Sequence, residues 1–202
     1  MKIVLASSNP HKVKEINEIT TQFCVDNNIN LTENINFILP PTDFNPDETG
    51  KTFAENSYIK AKEGWNLSRN WCLADDSGLC IEALNGKPGI YSARYAETPQ
   101  KRIARVLKEL KGIENRKAHF VCHMTLINSD GEIAFSYEGI CKGSIINEPK
   151  GVNGFGYDPI FLPEGYSKTI AELSEDEKNR ISHRSIALRE VIKYLVVYNQ
   201  QA

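Results

Sequence analysis

The chain has 202 residues, of which 24 are Lys or Arg and 26 are Asp or Glu, giving a net charge of −2 with His neutral. Hydrophobic residues make up 41% and charged residues 25%, which excludes disorder as the main state; a chain this long can bury roughly 70% of its surface. Basic residues are not in excess, which excludes a protein that grips a nucleic acid polymer mainly by charge. No apolar run approaches the ~18–20 residues of a membrane helix. Met1–Ala6 is shorter than the apolar stretch of about 7–15 residues in a signal peptide, so a cytoplasmic protein with no membrane partner is expected. Five cysteines (Cys24, Cys72, Cys80, Cys122, Cys141) are scattered and never spaced C-x-x-C. They are expected to be reduced, mostly buried thiols.

In chain order, Lys2–Ala6 reads as a strand running into Ser7-Ser8-Asn9-Pro10, where cap residues precede a proline suited to a first helical turn. Val13, Ile16, Ile19 and Phe23 follow at helical spacing. Asn27–Asn36 reads as an Asn-rich insertion with no assigned role, and Ile35–Leu39 as a strand. Thr52-x-x-Glu55 is a capping box for a helix with Ala54, Tyr58, Ala61 and Trp65 on one face. Trp71–Ala74 reads as a short strand ending at Asp75-Asp76-Ser77-Gly78, and Leu79–Leu84 as another, closed by Asn85-Gly86. Thr98-Pro99 caps a helix with an Ile103, Val106, Leu107, Leu110 stripe. From Ala118 to Ile146 the period is two, with a hairpin at Asp130-Gly131. A Gly-rich loop spans Lys150–Pro159. Ser174-x-x-Glu177 is a second capping box, and Leu188, Val191, Ile192 and Leu195 mark the last helix. The fold class is α/β with a mixed sheet flanked by helices, in two lobes.

Five segments could carry chemistry. Ser7–Lys12 opens a helix, whose free N–H groups suit an anion; the alternative is a plain cap. Glu48 sits on an acidic loop before a helix face carrying Asn56 and Lys60, where it could reach a metal; the alternative is a solvated loop. Asp75 and Asp76 are adjacent carboxylates, costly unless a cation or proton relieves them; the alternative is a turn. Oxygen ligands of this kind suit Mg²⁺. Gly154-Phe155-Gly156-Tyr157-Asp158 is neither a Rossmann fingerprint nor a P-loop, but its glycines leave the Phe155 ring able to stack on a flat ligand. A core-pinned aromatic is the alternative. Residues 178–189 contain Lys178, Arg180, Arg184 and Arg189 and no acid, either a ligand-binding segment or a basic helix face. His119 and His123 lie four apart on a strand and are expected to be structural.

Together these segments resemble the inosine triphosphate pyrophosphatase family, the non-canonical purine nucleoside triphosphate pyrophosphatases. The resemblance rests on Ser7-x-Asn9-x-x-Lys12, Glu48-Thr49-Gly50 with Phe53 and Glu55-Asn56, Ala74–Leu79, Pro88–Tyr95, Gly154–Pro159, and Glu177-Lys178 with Ser182-His183-Arg184, in order over nearly the whole chain. It implies an elongated central mixed sheet, a nucleotide cleft between two lobes, a homodimer, and a single catalytic domain over 1–202. It also implies Mg²⁺-dependent hydrolysis of ITP, dITP or XTP to the monophosphate and pyrophosphate. By resemblance, Ser7, Ser8, Asn9, Pro10, His11 and Lys12 contact the triphosphate, with Lys60 on a phosphate. Glu48 and Asp76 hold Mg²⁺, and Asp76 accepts the proton. Ser77, Phe155, Gly156, Tyr157, Asp158, Lys178, His183 and Arg184 bind substrate.

The physical logic agrees. Water must attack the α-phosphorus of a polyanion that repels it, so Mg²⁺, Lys12, Lys60 and the helix N-terminus would offset that charge. A 6-keto base offers an acceptor where adenine offers a donor, so a donor such as Arg184 would favour the former. Asp75 could orient the site or bind a second metal. Two alternatives are a pyrophosphatase of the related septum-formation-inhibitor type and a non-catalytic nucleotide sensor.

Overall fold

The computed structural model describes residues 1–7, 9–29 and 36–201. Ser8 and most of the Asn-rich stretch lie outside the described residues, as do the side chains of Pro10 and His11. The strands are β1 (Lys2–Leu5), β2 (Asn36–Ile38), β3 (Trp71–Ile81), β4 (Lys117–Ile127), β5 (Ile133–Ile145) and β6 (Phe161–Pro163). The helices are α1 (Pro10–Asp26), α2 (Phe53–Ser68), α3 (Pro99–Glu109), α4 (Glu175–Ile181) and α5 (His183–Gln201). The strands form one sheet in the order β2-β1-β3-β4-β5-β6. β1 pairs in parallel with both β2 and β3, while β5 and β6 are antiparallel, so the sheet is mixed as expected.

The chain divides into two compact units, and β3, β4 and β5 each contribute residues to both. The first unit comprises Met1–Asp76, Cys122–Gly139 and Arg184–Ala202. Its part of β3 alternates strictly, as a strand must. Trp71 and Leu73 join Ile3, Leu5, Ile16 and Leu188 in one buried cluster, on the side of α1 and α5. Cys72 and Ala74 join Val4, Ala6 and Ala61 in another, on the side of α2. At Gly64 of α2 an added Cβ would run into the Cys72 sulfur, so only glycine allows this close approach to the sheet. Trp65 donates its indole N–H to the Ser129 carbonyl at 3.0 Å and stacks with Lys62 and Arg69, fastening α2 to the hairpin after β4.

The second unit comprises Ser77–Val121 and Ile140–His183. Val106 and Leu110 at the α3 stripe are fully buried and pack with Leu79, Ile81, Phe120 and Phe161. Thr98 caps α3 through the Lys101 N–H, and the Ser174–Glu177 capping box starts α4.

Three expectations are corrected. Residues 71–81 form one continuous strand, not two separated by a turn at Asp75–Gly78. Each aspartate is paired where it is buried, which removes the reason for the chain to turn out to water. The buried face of α2 is Asn56, Ser57, Lys60, Ala61 and Gly64, while Tyr58 is exposed. That face can be polar because its groups find partners on the sheet. The segment at 178–189 is broken at Ser182, whose extended backbone ends α4 and lets α5 begin at His183.

All five cysteines are free thiols, and four of them are buried. Burial pushes the Cys72 and Cys141 thiols up to about 12 and about 11. No helix among the described residues is long and apolar enough to cross a membrane.

Candidate active site

In the first unit, Asp76 points to the α2 side of β3. Lys60 Nζ bonds Asp76 Oδ1 at 2.8 Å and Glu48 Oε1 at 3.0 Å, so both carboxylates converge on one ammonium. Asn56, fully buried, donates its amide to Asp76 Oδ2 at 3.3 Å and accepts the Gly50 N–H at 2.9 Å. An added Cβ at Gly50 would crowd Asn56, so the Glu48-Thr49-Gly50 loop is held close to α2 by a bond that needs glycine. Burial pushes the Asp76 carboxyl up, and Lys60 and Lys12 pull it back without cancelling the shift. Burial opposes the Lys60 charge, but Asp76, Asp75 and Glu48 outweigh it and raise its pKa. A buried carboxylate with a raised pKa, held beside a second carboxylate, is suited to accepting a proton next to a cation.

Asp75 points to the other side. Its Oδ2 bonds Lys12 Nζ at 3.0 Å and Arg184 Nη2 at 3.1 Å. Arg184 Nη1 reaches Glu15. Arg184 is 1% exposed and Asp75 3%. Lys12 belongs to the first turn of α1, which Asn9 starts by accepting the Val13 N–H, with Ser7 Oγ accepting the Asn9 N–H. The resemblance assigns Glu48 and Asp76 to a metal and Lys12 and Lys60 to phosphates. Here they interleave, each lysine on an aspartate. Arg184 is thus held between two carboxylates and buried, not presented on an open surface.

His123 of β4 also faces α2. Its Nδ1 is 3.0 Å from Ser57 Oγ, which is 2.7 Å from Thr125 Oγ1. Burial pushes its pKa down, outweighing Glu138 and Asp76. The folded chain therefore keeps His123 neutral to lower pH than the unfolded chain does. Its stabilising effect is full above the unfolded value of about 6.5 and fades as pH falls through the lower folded value. His123→Gln should accordingly flatten the loss of stability between pH 7.5 and 5.5, read as urea midpoints at the two pH values.

In the second unit, Asp158 Oδ2 accepts the Phe155 N–H at 2.9 Å and Lys178 Nζ at 3.0 Å. Lys178 Nζ lies 4.7 Å from the Phe155 ring centroid. Gly154 and Gly156 have positive φ, and a Cβ at Gly154 would run into the Asp158 carboxylate. The loop is thus folded around Asp158. Tyr157 is buried, and its hydroxyl donates to the Ser92 carbonyl at 2.9 Å. Ser92 Oγ in turn accepts the Leu79 N–H and donates to the Gly89 carbonyl. This gives the Pro88–Tyr95 motif a structural task, anchoring the aromatic loop. His183 is buried and stacks on Phe120 at 4.8 Å, and Ser77 is half-buried.

The structure therefore gathers Lys12, Glu48, Lys60 and Asp76 in one unit with Arg184, and Phe155, Asp158 and Lys178 in the other. The sequence reading named Asn56 and Asp75 in its candidate segments without giving either a settled role, and it missed Glu15. Asn56 was legible as the partner of Lys60 four residues on; Glu15 had no signal beyond its place three residues after Lys12.

A mixed sheet, a helix starting just after β1, and two β3 carboxylates paired with lysines of α1 and α2 define an α/β protein with a concentrated charged cluster in its first unit. The chain belongs to the Ham1 family, whose model matches residues 3–194. It is 42% identical over 191 residues to a protein of Synechocystis sp. named dITP/XTP pyrophosphatase, covering 94% of this chain and 93% of that one. It is 39% identical over 207 residues to the dITP/XTP pyrophosphatase of Aquifex aeolicus, covering 96% of each. Among solved structures, it superposes on a HAM1 protein from Coxiella burnetii with a TM-score of 0.83 and 38% identity, covering 100% of both chains. The Ham1 protein of Staphylococcus aureus gives a TM-score of 0.82 at 37% identity, covering 100% of this chain and 99% of that one.

Proposed function

We propose that this protein is a nucleoside-triphosphate pyrophosphatase that hydrolyses dITP, ITP and XTP to the monophosphate and pyrophosphate. The observation that carries the reading is the convergence of Glu48 and Asp76 on one cation, with Lys12, in the first turn of α1, near enough for its charge to act on the Asp76 carboxyl. The names of the relatives favour it over a nucleotide sensor or a septum-formation-inhibitor type of enzyme.

Glu48 and Asp76 would hold Mg²⁺. The donor chemistry fits, since both offer carboxylate oxygens that already close on a positive charge. Among the described residues no group of three or more His, Cys, Asp or Glu is arranged to hold a metal. Two carboxylates are enough for Mg²⁺, which fills its shell with waters and substrate phosphates. When bound, it lowers the pKa of a ligand water and offsets phosphate charge. Asp76 accepts the proton of the attacking water, and Asn56 holds the Asp76 carboxylate in place. Lys12, Lys60 and the N–H groups at the start of α1 meet the phosphates. Phe155 offers a stacking face, with Lys178 fixed beside it by Asp158.

The near-neutral charge supports a single small nucleotide as ligand over a polymer. A cytoplasmic homodimer is part of the proposal, drawn from the family resemblance. Pyrophosphate release should be measured from ITP, dITP, XTP, GTP, ATP and dTTP with and without Mg²⁺. Rapid release from the first three, only with Mg²⁺, is the expected result. Equal rates on ATP and ITP would sink the specificity, and inactivity on all six would sink the function.

A further inference from the structure

We propose that Asp75 is a positioning residue that fixes Lys12 and Arg184, and that it takes no part in holding a metal. The proposal rests on the reading above, in which Lys12 meets a phosphate. Side chains of neighbouring strand residues point to opposite faces. Asp76 accordingly meets Asn56 and Lys60 of α2. Asp75 meets Lys12 of α1 and Arg184 of α5. Two adjacent carboxylates that look like one acidic pair in the sequence are thus divided by the backbone that joins them.

What surrounds Asp75 suits anchoring. One oxygen, Oδ2, takes Lys12 at 3.0 Å and Arg184 at 3.1 Å, with Cys122 Sγ at 3.9 Å. A divalent cation brought to that oxygen would face two positive charges at contact distance, which repel it. Arg184 is itself held from behind by Glu15. The four groups balance as two cations and two anions, nearly all buried. A lysine side chain is long and loses much rotamer freedom when it is fixed. Asp75 imposes that order before any ligand arrives, so a phosphate meeting Lys12 does not have to impose it.

Asp75→Glu tests this, because it keeps the charge and moves it by one methylene. The variant should fold, with a melting temperature within about 5 °C of the parent. Its Kd for inorganic triphosphate, measured by calorimetry in EDTA, should rise about tenfold, and its KM for ITP likewise, with kcat within about threefold. The Mg²⁺ concentration for half-maximal activity should stay unchanged. A shifted Mg²⁺ requirement with unchanged triphosphate affinity would overturn the proposal in favour of a metal ligand. Unchanged triphosphate Kd and KM would reduce Asp75 to a packing role and overturn it as well. Lys12→Met supplies the second arm. In that background, Asp75→Glu should weaken triphosphate binding by no more than about twofold further, and full additivity would overturn the link. If the parent hydrolyses no nucleotide, the proposed function fails, while the metal-free triphosphate measurements still decide the role of Asp75.

Discussion

Asp76→Asn should lower kcat for ITP by about 10³-fold while leaving the Kd for ITP within about threefold. Asparagine keeps the shape and can still accept a bond from Lys60, but it cannot take a proton from water. It also removes one of the two charges that would hold Mg²⁺, but raising Mg²⁺ should not recover the rate, because the proton acceptor is gone. Steady-state release of pyrophosphate and calorimetric binding of ITP in EDTA measure the two quantities separately. A rate near the parent's would remove Asp76 from the chemistry. The same substitution relieves a carboxyl that burial pushes up, so the variant should be at least as stable as the parent. A lost rate accompanied by unfolding would point to a structural role instead.

Arg184→Ala should be the most destabilising single change in the first unit. The guanidinium is 1% exposed and bridges Glu15 and Asp75. Burial opposes its charge, and the two carboxylates more than restore it. Removing it takes one cation away from two buried anions, Glu15 and Asp75, a loss of about 3–5 kcal/mol by comparison with broken buried pairs. For a chain of this length that corresponds to a fall in melting temperature of roughly 10 °C. The KM for every nucleotide should rise, because Lys12 loses its fixed neighbour. The ratio of kcat/KM for ITP over ATP should stay within about threefold. A lost ratio in a variant that remains folded would mean that the guanidinium leaves its carboxylates to read the base, as the sequence pattern alone suggested.

Much of the fold was readable in the chain. Capping boxes at Thr52 and Ser174 and the proline after Thr98 are local signals, and each marks a real helix start. The sheet order is not local; it depends on which strands bury which faces. The join across Asp75–Gly78 was missed because Asp, Ser and Gly favour turns, whereas pairing to Lys12, Lys60 and Arg184, distant in sequence, lets the strand run on. The α2 face was misjudged for a related reason. Hydrophobic periodicity assumes that polar groups face water, and Asn56, Ser57 and Lys60 are buried because their partners are on β3 and β4. Of the site, the motifs supplied the residue types, and only the alternation of β3 separated Asp75 from Asp76.

That alternation has a consequence for how the chain finds its pairing. Residues Trp71–Ala74 are buried on both faces, so a slip of β3 by one residue against β1 would still bury apolar side chains. Hydrophobicity alone therefore specifies this strand's alignment weakly. The slip would carry one aspartate into the other's place and put Ala74 or Ser77 where the second acid belongs, leaving the cations of one face, Lys60 or the Lys12–Arg184 pair, without their aspartate. The two acids thus act as an alignment key, and the residues that equip the enzyme for its chemistry also discriminate against a misfolded sheet.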